Sequence, residues 1–127
     1  EDYRQEVLDL VNAQRAKYGL TALEMGDDNL TAAAQTRAEE IAVVNSHVRP
    51  DGTKCFTVLK DYGVTDAPTG ENAAWGSVSP EEVVDAWMNS EGHRANILNP
   101  EARKMSVGYY YNSTSTWGHQ WIQLFTK

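Results

Sequence analysis

The end of the chain, residues 104–127, constrains the fold most, because large side chains recur there at every second position. The alternating residues are Met105, Val107, Tyr109 and Tyr111 in a first run and Trp117, His119, Trp121, Gln123 and Phe125 in a second. Successive side chains of a β-strand point to opposite faces, so this pattern predicts two strands that each turn one face to a core. The polar residues between the two runs predict a β-hairpin.

The segments before this hairpin carry apolar residues at helical spacing. Residues 3–18 repeat apolar positions three and four apart and are followed by Gly19, which is typical of a helix end. A second helix is predicted from Asp28, its N-cap, through an alanine-rich stretch to about residue 44. Its small residues permit close packing against a neighbouring element. Helices followed by an antiparallel hairpin predict an α+β fold.

Two more helices are predicted in the middle of the chain. The first is short and is closed by Gly63. The second begins at Ser79 as N-cap, with Glu82 completing a capping box, and it stops at Gly92. Between these helices, residues 64–78 have the composition of a loop.

Length, charge and cysteine content limit the possible functions. The 127 residues suffice for one domain with its own core, and the net charge of −7 argues against nucleic acid and against anionic membrane surfaces as partners. No apolar run approaches the roughly 20 residues of a transmembrane helix. No signal peptide is visible at the start, so we expect any export segment to have been removed or never present. The single cysteine, Cys55, excludes a disulfide within the chain and is expected to be a small buried apolar residue.

The sequence lacks the motifs of the common hydrolytic and nucleotide-binding mechanisms. It contains no H-E-x-x-H, no G-x-S-x-G, no Walker loop, no G-x-G-x-x-G and no paired C-x-x-C. The candidates for a functional site are therefore polar residues at the edges of apolar segments, namely His47, Glu71, Ser90, Glu91 and His93. Arg94 and Asn96 are expected to hold the irregular segment that follows them through backbone hydrogen bonds, a structural task. His119 is expected on a strand face, packed or exposed, and is assigned no role.

The residues themselves leave several interpretations open for each candidate. His93 is a metal ligand, a general base, or a polar residue that caps the preceding helix. Glu71 stands between a glycine and an asparagine, which suits a fixed inward-pointing carboxylate, although such an acid alone is more often solvated. His47 alone is more often a surface histidine. Ser90 beside His93 suggests a nucleophile and its base, but Gly92 between them argues against that pairing.

Five stretches taken together resemble the CAP superfamily, the cysteine-rich secretory protein, antigen 5 and pathogenesis-related 1 domain, in its shorter bacterial form. They are "NSHVRPDG", "TGENAAWG", "VVDAWMNSEGHRANILNP", "SVGYYY" and "WIQLF". They follow the family's order and its approximate spacings from about residue 5 to the end of the chain. Residues 1–127 are thus identified as a single CAP (SCP-like) domain.

The resemblance implies a three-layer α-β-α sandwich with a mostly antiparallel central sheet. It also implies a cleft lined by two histidines and two acids, which in some members binds a divalent metal such as zinc. Carried over by position, the metal-binding residues are His47, Glu71 and His93. The second acid departs from the family pattern, because Ser90 stands three residues after Trp87 and the nearest acid is Glu91. A shift of one residue along a helix rotates the side chain by about 100°, so Glu91 does not replace the second acid of the family pattern. Ser90 and Glu91 are therefore expected only as further cleft residues.

The resemblance also sets the functional expectations. They are secretion or surface display, Zn2+ or another divalent metal not required for folding, and an unidentified small molecule, lipid or extracellular polymer as partner. Three functions stay open: a non-catalytic binding module, a metal-assisted, protease-like hydrolase with Glu71 as base and His93 as a second catalytic candidate, and a structural or cell-wall protein with a vestigial cleft. We favour the binding module, because no residue supplies a nucleophile or an oxyanion stabiliser.

Overall fold

The computed structural model describes residues 2–114 and 118–127. Its elements are the helices α1 (Asp2–Lys17), α2 (Asp28–Val43), α3 (Thr57–Asp61), α4 (Pro80–Met88) and α5 (Glu91–Ile97) and the strands β1 (Glu24–Met25), β2 (Pro68–Trp75), β3 (Lys104–Tyr111) and β4 (His119–Thr126). The strand order is β1-β3-β4-β2, with β1 parallel to β3 and the other neighbours antiparallel. The predicted α+β fold and mostly antiparallel sheet are confirmed. The predicted hairpin is β3 and β4, whereas Trp117 lies outside the described residues.

Two layers of helices enclose the sheet, which confirms the three-layer α-β-α sandwich. On one face, α1, α4 and α5 bury apolar side chains against β3 and β4 around Trp87 and Trp121. On the other face, α2 and α3 pack around Ile122 and Leu124. Trp87 is almost fully buried, and its indole N–H donates to the carbonyl of Ala73 at 3.1 Å, which ties α4 to β2. None of the helices in this described part of the chain is long and apolar enough to cross a bilayer.

The alanine-rich helix α2 lies very close to the sheet. A Cβ atom added at Gly108 on β3 would stand 2.1 Å from the carbonyl oxygen of Ala34. Only a glycine on the strand and small residues on the helix allow this approach. The inner face of α2 therefore lies directly over the sheet, within reach of side chains on β2.

The segment predicted as a loop, residues 64–78, contains the strand β2, so that prediction was wrong. β2 pairs with β4 along its length, with Glu71 opposite Leu124. Its sequence, PTGENAAW, is made largely of small and polar residues with low strand propensity. Pairing with the buried strand β4 overrides that propensity, and it places Glu71 and Asn72 in the interior of the domain.

Two helix starts differ in detail from the predictions. The N-cap of α2 is Asp27 rather than Asp28, because the Asp27 carboxylate accepts a hydrogen bond from the N–H of Leu30 at 3.0 Å. Ser79 caps α4 as predicted, since its hydroxyl accepts from the N–H of Glu82 at 3.1 Å. The Glu82 carboxylate, however, accepts from the residue before Ser79, so the reciprocal half of the capping box is displaced by one residue.

The fourth helix does not continue to Gly92, so that predicted helix end was also wrong. α4 ends at Met88 with Asn89 as its C-cap, and the Asn89 side chain donates to a carbonyl of the last turn. A new helix, α5, begins at Glu91, whose charge is favourable at a helix N-terminus. His93 therefore lies in the first turn of α5 and does not cap α4.

Candidate functional site

Glu71 lies at the centre of the candidate site, on β2, with only 1% of its side chain exposed. Arg37 donates from Nε to Oε2 at 2.7 Å and from Nη2 to Oε1 at 3.1 Å, which makes a bidentate ion pair. The Nδ1 atom of His47 lies 2.6 Å from the same Oε1. Three hydrogen bonds thus hold one buried carboxylate between α2 and the segment that follows it.

Arg37 on α2 joins three parts of the site. Its side chain is fully buried, and its other N–H groups donate to Oε1 of Glu40 at 2.9 Å and to the carbonyl of Ser46 at 3.0 Å. The sequence reasoning missed this residue. The available signal was that Arg37 falls on the same helical face as the buried Leu30 and Ala34, where an unpaired charge is costly.

These contacts determine the charge of Glu71 and the tautomer of His47. Burial raises the pKa of Glu71, but hydrogen bonds from His47 and Arg37 outweigh it, so that pKa lies below the usual glutamate value. An ionised carboxylate only accepts hydrogen bonds, so Nδ1 of His47 carries the hydrogen and Nε2 is left for another partner. The hydrogen bond to Glu71 in turn raises the pKa of His47, against the smaller opposing effect of partial burial.

A short hairpin of residues 47–55 carries His47. An isolated antiparallel bridge closes the hairpin, and the N–H of Cys55 donates to the carbonyl of His47 at 3.0 Å. Gly52 has a φ of 89°, the left-handed conformation that this Pro-Asp-Gly turn requires. The turn therefore brings Cys55 back beside His47.

Arg49 anchors this hairpin to the two neighbouring helices. Its guanidinium donates to Oε2 of Glu40 at 2.7 Å and to Oδ2 of Asp61 at 2.8 Å. Glu40 also accepts from Arg37, so one carboxylate joins both arginines. Arg49 was another residue that the sequence reasoning missed, and its contacts fix the hairpin that positions His47.

Cys55 is buried, as the sequence predicts, and it lies close enough to Glu71 and Arg37 for their charges to affect its thiol. Burial, and then the negative charge of Glu71, raise the pKa of the Cys55 thiol to about 12. Ligand atoms of His47, Cys55 and Glu71 all lie within 4.8 Å of one another, which makes these residues a possible metal-binding group in the described part of the chain. His93, which the resemblance implies as a third ligand, does not belong to that group.

The asparagines of β2 and α5 hold His93 next to this group. The Nδ2 of Asn72 donates to the carbonyl of His93 at 3.1 Å, and the Nδ2 of Asn96 donates to Oδ1 of Asn72 at 2.9 Å. Asn96, expected to fasten the residues after it, thus fastens α5 to β2 instead. Partial burial, and then the positive charge of His47, lower the pKa of His93. The two histidines therefore interact electrostatically across the site.

The remaining candidates occupy more peripheral positions. Ser90 is the N-cap of α5 and makes no side-chain capping hydrogen bond, and Glu91 is the exposed first residue of that helix. His119 stands on the sheet at the end of the hairpin, where Nδ1 is hydrogen-bonded to the hydroxyl of Tyr109. The third histidine of the chain therefore has a structural partner away from Glu71.

A separate cavity of about 380 Å³ lies between α3 and the start of β2. Its lining is mainly apolar and includes Phe56, Leu59, Val64 and Pro68, with Lys54 and Lys60 among the polar members. The hairpin that carries His47 ends directly before Phe56. The cavity and the group of His47, Cys55 and Glu71 thus share one segment of the chain, since Cys55 of that group directly precedes Phe56 in the cavity lining.

Comparison with known proteins gives two bacterial relatives. The chain is 42% identical over 122 residues to the Bacillus subtilis (strain 168) "Uncharacterized protein YkwD", an alignment that covers 94% of this chain and 47% of the relative. It is 34% identical over 106 residues to the "Uncharacterized membrane protein YlbC" of the same organism, covering 82% of this chain and 30% of the relative. The chain therefore spans at most about half the length of these curated relatives.

Solved structures and a family model agree with the fold. An extracellular protein containing a SCP domain from Bacillus anthracis str. Ames matches with a TM-score of 0.85 and 27% identity, over 98% of this chain and 40% of that one. An outer surface protein from Borrelia burgdorferi matches with a TM-score of 0.78 and 26% identity, over 97% and 90%. The model of the cysteine-rich secretory protein family, CAP, matches residues 8–125. The chain belongs to the CAP family.

Proposed function

We propose that this chain is a secreted or surface-displayed binding module whose polar cleft at His47 holds a divalent metal. The observation that carries the proposal is the hydrogen-bonded series from Arg37 through Glu71 to Nδ1 of His47. Metal-binding histidines commonly donate one ring N–H to a carboxylate, which fixes the ring and leaves the other nitrogen for the ion. His93, which interacts electrostatically with His47, offers a second imidazole.

The donor atoms of the cleft suit zinc better than calcium or magnesium. Imidazole nitrogen with a limited supply of carboxylate oxygen suits zinc, whereas calcium and magnesium need oxygen-rich sites. Arg37, Glu71 and His47 already satisfy one another by hydrogen bonds and an ion pair. Folding therefore does not depend on the metal, and a chelator should empty the site without unfolding the domain.

The environment of Glu71 favours binding over catalysis. A general base works best when its pKa lies near the operating pH, and the pKa of Glu71 lies below the usual glutamate value. Three of its roughly four acceptor positions are also occupied. Glu71 acts in this proposal as a positioning residue for His47. Metal-assisted hydrolysis with Glu71 as base and His93 as a second catalytic candidate is the alternative that this environment disfavours, and a vestigial cleft is the third hypothesis.

The neighbours and the apolar cavity support the location and the kind of partner. The similar solved proteins are described as extracellular and as an outer surface protein, which supports a place outside the cell for this chain. The cavity of about 380 Å³ falls in the size range of small-molecule sites. A small apolar molecule or a lipid is therefore the proposed partner, in preference to an extracellular polymer.

Calorimetric titration with zinc tests the metal proposal. The variants are the His47→Ala/His93→Ala double substitution and, as a matched control, His119→Ala. We expect reversible binding to the wild type and the control, and loss of binding in the double variant. Affinity should fall as the pH is lowered, already above the ordinary histidine value of about 6.5, because a coordinating imidazole must be unprotonated and the hydrogen bond to Glu71 raises the pKa of His47.

Each hypothesis predicts a different outcome of this titration. Equal zinc binding by the wild type and the double variant would contradict the metal site and the hydrolase alternative with it. Hydrolysis of peptide or ester probes by the zinc-loaded wild type, lost in the double variant, would favour the hydrolase. A folded wild type that binds no zinc would leave the cleft vestigial.

A further inference from the structure

We infer that the sulfur of Cys55 is a direct donor to the metal at this site, which makes the site selective for thiophilic divalent cations of the zinc type. This inference rests on the proposed metal-binding function and deepens it. It assigns to Cys55 a role that neither the family resemblance nor the sequence pattern suggests. It also changes the expected chemistry from a site of nitrogen and oxygen to one of nitrogen and sulfur.

The first argument is the position of the sulfur atom. Sγ of Cys55 lies within 4.8 Å of a ring nitrogen of His47 and of an oxygen of Glu71. The side chain of His47 is 56% exposed, whereas Cys55 is only 7% exposed. The imidazole is therefore open to a cation from solvent, and the thiol is a mostly covered donor close to it.

The second argument is that Glu71 has little capacity left for a metal. Oε1 accepts from both Arg37 and His47, and Oε2 accepts from Nε of Arg37. Arg37 is fully buried, so moving the carboxylate away would break its bidentate ion pair in the interior and leave only Glu40 as a charged partner in the described part of the chain. Of the three residues in this group, Cys55 is the one with no ion pair among the residues that the structure describes. Glu71 then serves as the outer partner that orients the imidazole.

The third argument is the chemistry of the bond. The thiol loses its proton to solvent as the thiolate–metal bond forms, and no electron is transferred. Thiolate and imidazole together select zinc and similar soft cations, whereas magnesium and calcium prefer carboxylate and water oxygen. The negative thiolate also offsets the charge of a cation placed close to Arg37. The site is therefore expected to discriminate against magnesium and calcium.

Cobalt(II), a spectroscopic substitute for zinc, tests the inference on the intact chain. A cobalt–thiolate bond gives a ligand-to-metal charge-transfer band in the near ultraviolet, and Cys55 is the sole cysteine of the sequence. We expect that band in the wild type and in the His119→Ala control, and its loss in Cys55→Ser. Zinc affinity of Cys55→Ser should fall by more than about tenfold, the lower end of the loss typical of removing even an outer partner.

X-ray absorption at the zinc edge of the wild type needs no variant and guards against a folding defect in Cys55→Ser. We expect one sulfur neighbour at about 2.3 Å, beside nitrogen or oxygen at about 2.0–2.1 Å. Cobalt or zinc binding that requires His47 but shows no sulfur neighbour and no thiolate band would overturn the inference and leave the proposed function intact. Absence of binding to the folded wild type would overturn both.

Discussion

Replacing Arg37 by methionine should be among the most destabilising substitutions available in this domain. Methionine keeps much of the length of the side chain but leaves the carboxylate of Glu71 without its bidentate partner. The two side chains are 0% and 1% exposed, so the charge that remains cannot be solvated in the folded state. Breaking a buried pair from one side costs about 3–5 kcal/mol. His47 remains as a partner for Glu71, which places the expected loss near the lower end of that range.

Urea unfolding at neutral pH measures this loss, and a double-mutant cycle identifies its cause. The double variant Arg37→Met/Glu71→Gln carries no buried charge at this position, so it should be more stable than Arg37→Met alone by at least about 1 kcal/mol. The exposed Arg94→Met is the control and should stay within about 0.5 kcal/mol of the wild type. An Arg37→Met variant as stable as that control, or a double variant whose losses simply add, would refute the reasoning.

Three further predictions follow from the packing and the charges. Gly108→Ala should cost about 1–3 kcal/mol in urea unfolding, because the added methyl group meets the carbonyl of Ala34; an unchanged midpoint would mean that α2 can move freely. Trp87→Ala and Trp121→Ala, both almost fully buried, should each cost about 3–5 kcal/mol, and wild-type melting temperatures for both would contradict the assigned cores. The lowered pKa of Glu71 contributes stability that is complete above the unfolded value of about 4.3 and is lost as the pH falls through the folded value. Glu71→Gln should therefore lose less stability than the wild type as the pH falls from about 5 to about 3, and parallel losses would exclude this linkage.

Local patterns in the sequence predict the outer parts of the fold well. Alternation fixes the hairpin of β3 and β4, and the serine at position 79 with its proline fixes the start of α4. These signals come from periodicity and capping, which act within one element. Trp87 and Trp121 could be assigned to cores for the same reason, because each lies on an apolar stripe.

The strand β2 could not be predicted in this way. Gly70, Ala73 and Ala74 carry no strand preference, and the strand exists because β4 pairs with it and α5 covers it. The reason for a glycine at position 70 is a contact between two elements, which the sequence does not show. A Cβ atom there would lie 2.5 Å from Oδ1 of Asn96, so glycine lets α5 approach β2.

The residues that contact Glu71 and His47 could not be predicted from the sequence either. Arg37 and Glu71 are 34 positions apart, and no spacing rule connects a helix face to a strand at that separation. The sequence predicted Cys55 only as a small buried apolar residue, whereas the hairpin places it beside His47. Family resemblance brought His47, Glu71 and His93 together as a metal set, which remains a prediction. The structure adds the pairing of Glu71 with Arg37 and His47.

Nitrogen-15 NMR of the histidine rings during a zinc titration tests the central claim most directly, because each imidazole reports its own tautomer and its own metal contact. In the metal-free protein at mildly alkaline pH, we predict that neutral His47 carries its hydrogen on Nδ1, held by Glu71. Zinc should then shift the ring nitrogens of His47 and His93 and leave those of His119 unchanged. A metal-free His47 with its hydrogen on Nε2, or His47 resonances that do not move at saturating zinc, would contradict the account.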